Sequence, residues 1–89
     1  MKEILAELFE FNRRIRHGEI LSESDNERFL ELKAMADEFI DSIDNDYAAD
    51  CLRERYIRAR PWASIADEMG QLTNDAVRKC CSRAIKRYS

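Results

Sequence analysis

The chain has 89 residues, a length that suits one compact domain and leaves no room for two independent cores. Hydrophobic residues make up 45% of it, an ordinary globular share, and no apolar run approaches the roughly 18 residues of a membrane span. Three cysteines, two of them adjacent, and one histidine form neither a disulfide framework nor a zinc motif. Residues 1–10 include three glutamates and lack a secretory signal pattern. We therefore expect a cytoplasmic protein with no metal and no cofactor.

Composition also indicates the fold class. Apart from eight isoleucines, the chain has one valine and one threonine, although strands favour β-branched residues. The only glycines and the only proline, Gly18, Gly70 and Pro61, fall where helical patterns break. The sequence predicts an all-α protein.

Residues 1–44 are predicted to form a helical hairpin. Residues 2–17 and 25–43 each show a helical apolar stripe, the first ending at Gly18 and the second preceded by Ser24 and Glu27 in the spacing of a capping box. The stripe positions are Ile4, Leu8, Phe11 and Ile15, then Phe29, Leu32, Ala36, Phe39 and Ile43. Two helices of similar length with a short connection favour an antiparallel arrangement.

Four further apolar residues widen the two stripes: Leu5, Phe9, Leu30 and Ile40. Together they present more apolar surface than one partner helix should cover, so we expect the hairpin to form a homodimer. The alternative is that these residues cover the third helix within a monomer.

Residues 45–89 are predicted to form three shorter helices. The third helix covers residues 46–58 after the candidate caps Asp44, Asn45 and Asp46, the fourth runs from 61 to 69 and stops at Gly70, and the fifth covers 73–88 with Thr73 or Asn74 as its cap. The segment 70–72 forms a tight connection. The predicted inner faces are Ala48, Cys51, Leu52 and Tyr56; then Trp62, Ile65, Ala66 and Met69; then Val77, Cys80, Cys81, Ala84, Ile85 and Tyr88.

Charge is distributed unevenly along the chain. Residues 1–50 hold 6 Lys/Arg and 14 Asp/Glu, a net charge of −8, whereas residues 51–89 hold 9 and 4, a net charge of +5. No acid follows Asp75, and the cations of the last helix lie opposite or beside its apolar stripe. A short helix, a glycine-containing turn and a longer helix with a basic outer face are typical of a helix-turn-helix, whose second helix enters the major groove.

Four segments carry a family resemblance: LRERY at 52–56, IADEMG at 65–70, TNDAVRK at 73–79 and RAIKRY at 83–88. They resemble region 4 of bacterial sigma factors, and the chain from about residue 28 onward is similar to small phage and prophage transcriptional regulators of the ArpU/RinA kind. The chain departs from the family at Pro61, where a serine cap is frequent, and at Cys80, where a larger aliphatic residue is usual. No segment resembles the sigma region that melts promoter DNA. The resemblance therefore implies a protein that regulates initiation and does not perform it alone.

The resemblance implies that the helix beginning at Thr73 contacts the promoter. It places four residues against bases or phosphates: Asn74, Asp75, Arg78 and Lys79. Arginine can bond guanine, asparagine can bond adenine and an acid can accept from cytosine, so we call these four the base-contacting set. Phosphate contacts are assigned to Thr73, Ser82, Arg83, Lys86 and Arg87. Further candidates for phosphate are Arg53, Arg55, Arg58 and Arg60.

We therefore expect a sequence-specific regulator of transcription that binds double-stranded DNA. The alternative is a helical protein-interaction module that contacts RNA polymerase or another regulator without contacting DNA; the base-contacting set favours DNA, because a pure interaction surface should carry more exposed apolar anchors. No set of residues indicates an enzyme, since His17 has no acid and nucleophile beside it. The basic surface of the last helix has the alternative role of a solvated face. Trp62 could stack on nucleic acid, and Cys80 and Cys81 could sense redox changes, but we expect all three residues to pack in the core.

Overall fold

The computed structural model describes residues 1–70 and 73–89, and within these ranges the chain is helical without strands, which confirms the all-α prediction. Two residues of the predicted 70–72 connection, Gln71 and Leu72, lie outside the described residues. None of the helices in the two described ranges is both long and apolar enough to cross a membrane. The helices are α1 (Lys2–Arg16), α2 (Glu23–Asp41), α3 (Asp46–Leu52), which continues into a π-helical turn (Arg53–Ile57), α4 (Trp62–Glu68) and α5 (Asn74–Tyr88).

Side-chain caps fix where three of these helices begin. The Ser22 hydroxyl accepts from the Asp25 amide at 3.2 Å, so α2 begins at residue 23 and the predicted capping box of Ser24 and Glu27 is wrong. Ser22 and Asp25 have the same spacing as Ser24 and Glu27, two residues earlier in the chain. Because Ser22 is the cap, Ser24 lies inside the first turn of α2. Asn45 is the cap of α3 and Thr73 that of α5, each accepting a backbone amide at 3.1 Å. Gly70, with φ of +72°, follows α4 in the left-handed conformation that glycine favours.

Two ion pairs join α1 and α2: the residue nearer the start of α1 pairs with the residue farther along α2. Glu7 accepts from Arg28 at 2.8 Å, and Arg14 donates to Asp25 at 3.2 Å. Between these pairs the rings of Phe11 and Phe29 lie 6.2 Å apart. The hydrogen bonds from Arg28 lower the pKa of the Glu7 carboxyl, so this pair favours the charged form of both residues.

One hydrophobic core joins all five α-helices. Leu5 and Ile40, which were expected at the edges of their stripes, are 0% and 1% exposed. They are buried because α1 packs against both α2 and the π-helical turn, and because α2 also packs against α3 and that turn. Ile15, expected within the stripe of α1, is 40% exposed. Of the four residues that predicted a homodimer, Leu5 and Ile40 are therefore buried in the core and Phe9 is partly covered by the guanidinium of Arg55, which leaves Leu30 exposed.

The third predicted helix changes its winding after Leu52. In the π-helical turn the Arg58 amide donates to the Arg53 carbonyl at 3.1 Å, a bond that spans five residues instead of four. Carbonyls at and beyond the end of this turn accept from α1: Asn12 Nδ2 donates to the Tyr56 carbonyl at 2.9 Å, and Arg16 donates to the carbonyls of residues 58 and 59. α1 thus supplies the hydrogen bonds that the wide turn leaves unmade.

Candidate nucleic-acid interface

α5 is a long helix with one buried face. Val77, Cys81, Ala84 and Ile85 are buried, and the helix packs against α3 and α4. Its 15 residues span about 22 Å at 1.5 Å per residue. Asp75 is the only acid of α5. Five cations lie on the exposed part of its surface: Arg78, Lys79, Arg83, Lys86 and Arg87.

The structure brings three of the four base-contacting residues into one ionic cluster. Asp75 accepts from the guanidinium of Arg78 and pairs with Lys79 Nζ at 2.9 Å. These hydrogen bonds, the one from Lys79 first, lower the pKa of the Asp75 carboxyl. Asn74 is exposed and lines a shallow depression of about 230 Å³ together with Trp62, Asp75 and Arg78. The four residues therefore lie within the first six residues of α5, with two cations partly neutralised by one acid.

The predicted phosphate-contacting residues lie on two flanks of α5. Ser82 and Lys86 lie on the same side as Arg78, whereas Arg83 and Arg87 line a depression near the start of α3. Arg83, Lys86 and Arg87 make no ion pair with any carboxylate of the described residues. Thr73 caps α5 by accepting from an amide, which leaves its O–H free to donate.

The four arginines of residues 53–60, which the sequence made further candidates for phosphate, all make contacts within the chain. Arg53 pairs with Asp41 at 3.3 Å, and Arg58 pairs with Glu54 at 3.0 Å. Arg60 pairs with Glu54 at 2.8 Å and with Glu68. The pairs of Arg53 and Arg60 join α2, the π-helical turn and α4, whereas Arg58 keeps most of its side chain exposed.

The fourth of these arginines, Arg55, lies between two aromatic rings. Its guanidinium carbon is 4.2 Å from the centre of the Phe9 ring and 4.1 Å from the centre of the Trp62 ring. Nη1 also donates to the Arg60 carbonyl at 3.0 Å, and burial lowers the pKa of Arg55. The stack joins α1, the π-helical turn and α4, and Trp62 packs against the core. These contacts favour the core interpretation of Trp62 over nucleic-acid stacking.

The chain matches no family model, no curated protein and no solved structure. Its geometry and the chemistry of its exposed residues are therefore the grounds for a function.

Two of the three cysteines are core residues. Cys51 is 0% and Cys81 1% exposed, whereas Cys80 is partly exposed. Burial raises the pKa of the Cys51 thiol to about 11 and that of Cys81 to about 12. Both thiols stay protonated at neutral pH, which agrees with the packing role expected for Cys81.

A second basic surface was missed in the sequence. Arg13, Arg16 and His17 at the end of α1 line a depression of about 480 Å³ that Arg55 also borders. The run of Arg13, Arg14 and Arg16 is visible in the sequence, but the net charge of −8 over residues 1–50 conceals it. The depression adjoins Pro61, directly before α4.

Proposed function

We propose that this protein is a sequence-specific regulator of transcription that binds double-stranded DNA and places the N-terminal part of α5 in the major groove. One observation carries the proposal: α5 buries one face and presents five cations and a single acid on its remaining surface. An α-helix with its side chains is about as wide as the major groove, and clustered cations on one helix are the electrostatic pattern of such a helix. The resemblance of residues 52–88 to sigma factor region 4 supports the same assignment.

The four residues of the base-contacting set have different roles in this proposal. Arg78 and Asn74 supply the bidentate donors and acceptors suited to guanine and adenine, while Lys79 provides a single charge. Asp75 both accepts from cytosine and holds Arg78 and Lys79 before DNA arrives. Because the acid competes with phosphates for these cations, it weakens binding to any duplex that offers no base contact in return.

The two flanks of α5 suit the two phosphate strands that border a groove. Lys86 and Ser82 lie on one flank, and Arg83 and Arg87 lie on the other. These side chains fix the position of the helix and carry no sequence information themselves.

Anisotropy titrations at several salt concentrations test the proposal, with duplexes selected from pooled genomic fragments. With three to four phosphates neutralised, log affinity should fall against log salt with a slope of about −3 to −4. Arg83→Ala should make the slope shallower by about 1, whereas Lys33→Ala on α2, which removes the same one charge, is the matched control and should leave it unchanged. Undetectable binding at low salt, or equal effects of the α5 and α2 variants, would contradict DNA binding by α5.

We also propose that the N-terminal half forms a protein interface, first of all a homodimer. The observation that favours it is the exposure of large apolar side chains in this half: Ile20 is 94% and Leu30 55% exposed. A dimer would present two copies of α5 to half-sites about one or more helical turns of DNA apart, with the gain of avidity. RNA polymerase is the alternative partner for the same surface.

A further inference from the structure

A cleft of about 540 Å³ lies between the first turn of α1 and the side of α5 that runs from Arg78 to Lys86. Its apolar side chains come from the π-helical turn, α4 and α5, and its cations from α1 and α5. The apolar residues are Tyr56, Trp62 and Ile85, and the cations are Lys2, Arg78 and Lys86. This volume lies within the range of about 300 to 1,000 Å³ that is usual for small-molecule sites.

The cleft combines an aromatic lining with an excess of positive charge. Trp62 is fixed from one side by the Arg55 guanidinium, so its indole is a rigid part of the lining. Glu3 is the only acidic side chain that lines the cleft, against three cations. The charge of Arg78 is shared with Asp75, whereas Lys2 and Lys86 have no carboxylate partner among the described residues.

We propose that this cleft binds a small planar aromatic anion, with the aromatic body against Tyr56 and Trp62 and the carboxylate or sulfonate near Lys86, Lys2 and Arg78. The hydroxyl of Ser82, which also lines the cleft, is available to donate to the same anionic group. Such a ligand buries its apolar surface and pairs its charge at once, which neither a cation nor an uncharged aromatic molecule does.

Binding in the cleft has a consequence for DNA that rests on the proposed function. Arg78 belongs to the base-contacting set and Lys86 to the phosphate contacts, and both line the cleft. A bound anion occupies their charges, so ligand and duplex exclude each other. The ligand then acts as an effector that releases the protein from DNA.

Fluorescence tests the site without any DNA. Trp62 is the only tryptophan of the chain and lines the cleft, so it reports occupancy directly. The probe is 8-anilinonaphthalene-1-sulfonate, and the matched control ligand is its uncharged analogue N-phenyl-1-naphthylamine. The chain is used without a purification tag, because Met1 and Ser89 also line the cleft. We expect saturable binding of the sulfonate at one site with quenching of Trp62, and clearly weaker binding of the neutral analogue.

Two lysine variants on the same helix locate the charge contact. Lys86→Gln should weaken sulfonate binding about threefold to fivefold and leave the neutral analogue unaffected, as expected for one partly exposed charge pair. Lys79→Gln, on α5 but outside the cleft lining, should change neither. Circular dichroism checks that both variants keep the helical fold, and Lys2→Gln replaces Lys86→Gln if that variant does not fold. Equal affinities for the two probes, or equal losses in the α5 variants, would overturn the site.

Displacement of the bound sulfonate by a selected duplex tests the exclusion. Displacement supports it, and simultaneous binding of probe and duplex overturns it. A failure of the proposed function shows instead as absent binding in the anisotropy titration while the probe titration stays positive.

Discussion

At the scale of single residues, Asp75 determines how much of the charge on α5 is available. Its carboxylate holds both Arg78 and Lys79, so the first two turns of the helix carry one net positive charge instead of two. The lowered pKa of Asp75 keeps this carboxylate ionised at every pH at which DNA binding is measured.

Asp75→Asn should therefore strengthen binding to scrambled duplexes about threefold to tenfold and strengthen binding to the selected site less, because the freed cations attract any phosphate. Anisotropy titrations on both duplexes measure the ratio. Glu31→Gln, which removes an exposed pair with Arg28 on α2, is the matched control and should change neither affinity. A scrambled-duplex affinity that stays the same would mean that Asp75 does not mask the cations.

Arg78 and Lys86 should differ in kind. Arg78→Ala should lose about 1 to 3 kcal/mol on the selected site and little on scrambled DNA, since a base contact carries sequence information. Lys86→Ala should weaken binding to all duplexes alike, because the proposed partner of Lys86 is a phosphate, which every sequence offers. The same two titrations separate the cases. Equal losses on both duplexes for Arg78→Ala would remove it from the base-contacting set.

The cysteines should differ in reactivity because their burial differs. A thiol of pKa about 11 is a thiolate in about one molecule in a thousand at pH 8, so Cys51 should react about a hundredfold more slowly than an ordinary thiol, and Cys81 more slowly still. Timed alkylation of the folded chain, followed by peptide mass spectrometry, should show modification of Cys80 first. Unfolding in urea should equalise the three rates. Early modification of Cys81 in the folded chain would contradict its burial.

At the scale of helices, caps and stripes were predictable to different degrees. Glycine and proline positions separated the helices correctly, because only local backbone conformation is involved. The start of α2 was misplaced, since two serines each stand three residues before an acid and local spacing cannot choose between them. The base-contacting set was found on one helix surface, but its ion pairs with Asp75 depend on rotamers that spacing does not specify.

Ser22→Ala should lower the free energy of unfolding by about 1 kcal/mol, because the first turn of α2 loses its side-chain cap. Ser24→Ala is the matched control: it lies inside the helix and should change stability little or raise it slightly. Urea unfolding followed by circular dichroism gives both values. A larger loss for Ser24→Ala than for Ser22→Ala would restore the cap predicted from sequence.

The contacts of the π-helical turn could not be predicted from the sequence for a different reason. Phe9 is far from Arg55 and Trp62 in the chain, and an arginine beside a glutamate looks like an ordinary solvated charge. Only the packing of α1 across the turn brings the rings to either side of the guanidinium. Long-range contacts of this kind leave no periodic pattern in the sequence.

At the scale of the whole molecule, the single core limits how the proposed dimer can be tested. Leu5 and Leu8 are fully buried in the same core as Ile65 and Val77, so removal of residues 1–44 would expose that core instead of isolating a DNA-binding unit. A surface substitution is therefore the appropriate perturbation.

Sedimentation equilibrium of the full chain should show a dimer, and Leu30→Glu should weaken its association at least tenfold by burying a charge in an apolar contact. Lys33→Gln, which lowers the net charge by the same one unit at a neighbouring exposed position of the same helix, controls for net charge. A full chain that stays monomeric at high micromolar concentration, or equal effects of both substitutions, would refute an interface at Leu30.

The π-helical turn also sets the direction in which the chain leaves the axis of α3. Winding by one extra residue is equivalent to inserting a residue into an α-helix, and one residue corresponds to a rotation of about 100°. Without the extra residue, the chain would leave the axis of α3 about 100° away from the position from which the connection to α4 now starts. Asn12 donates to a carbonyl within this turn, and Arg16 donates to the two carbonyls that follow it. The hydrogen bonds from α1 therefore help to fix where the chain leaves α3, and with it the start of the segment that carries α4 and α5.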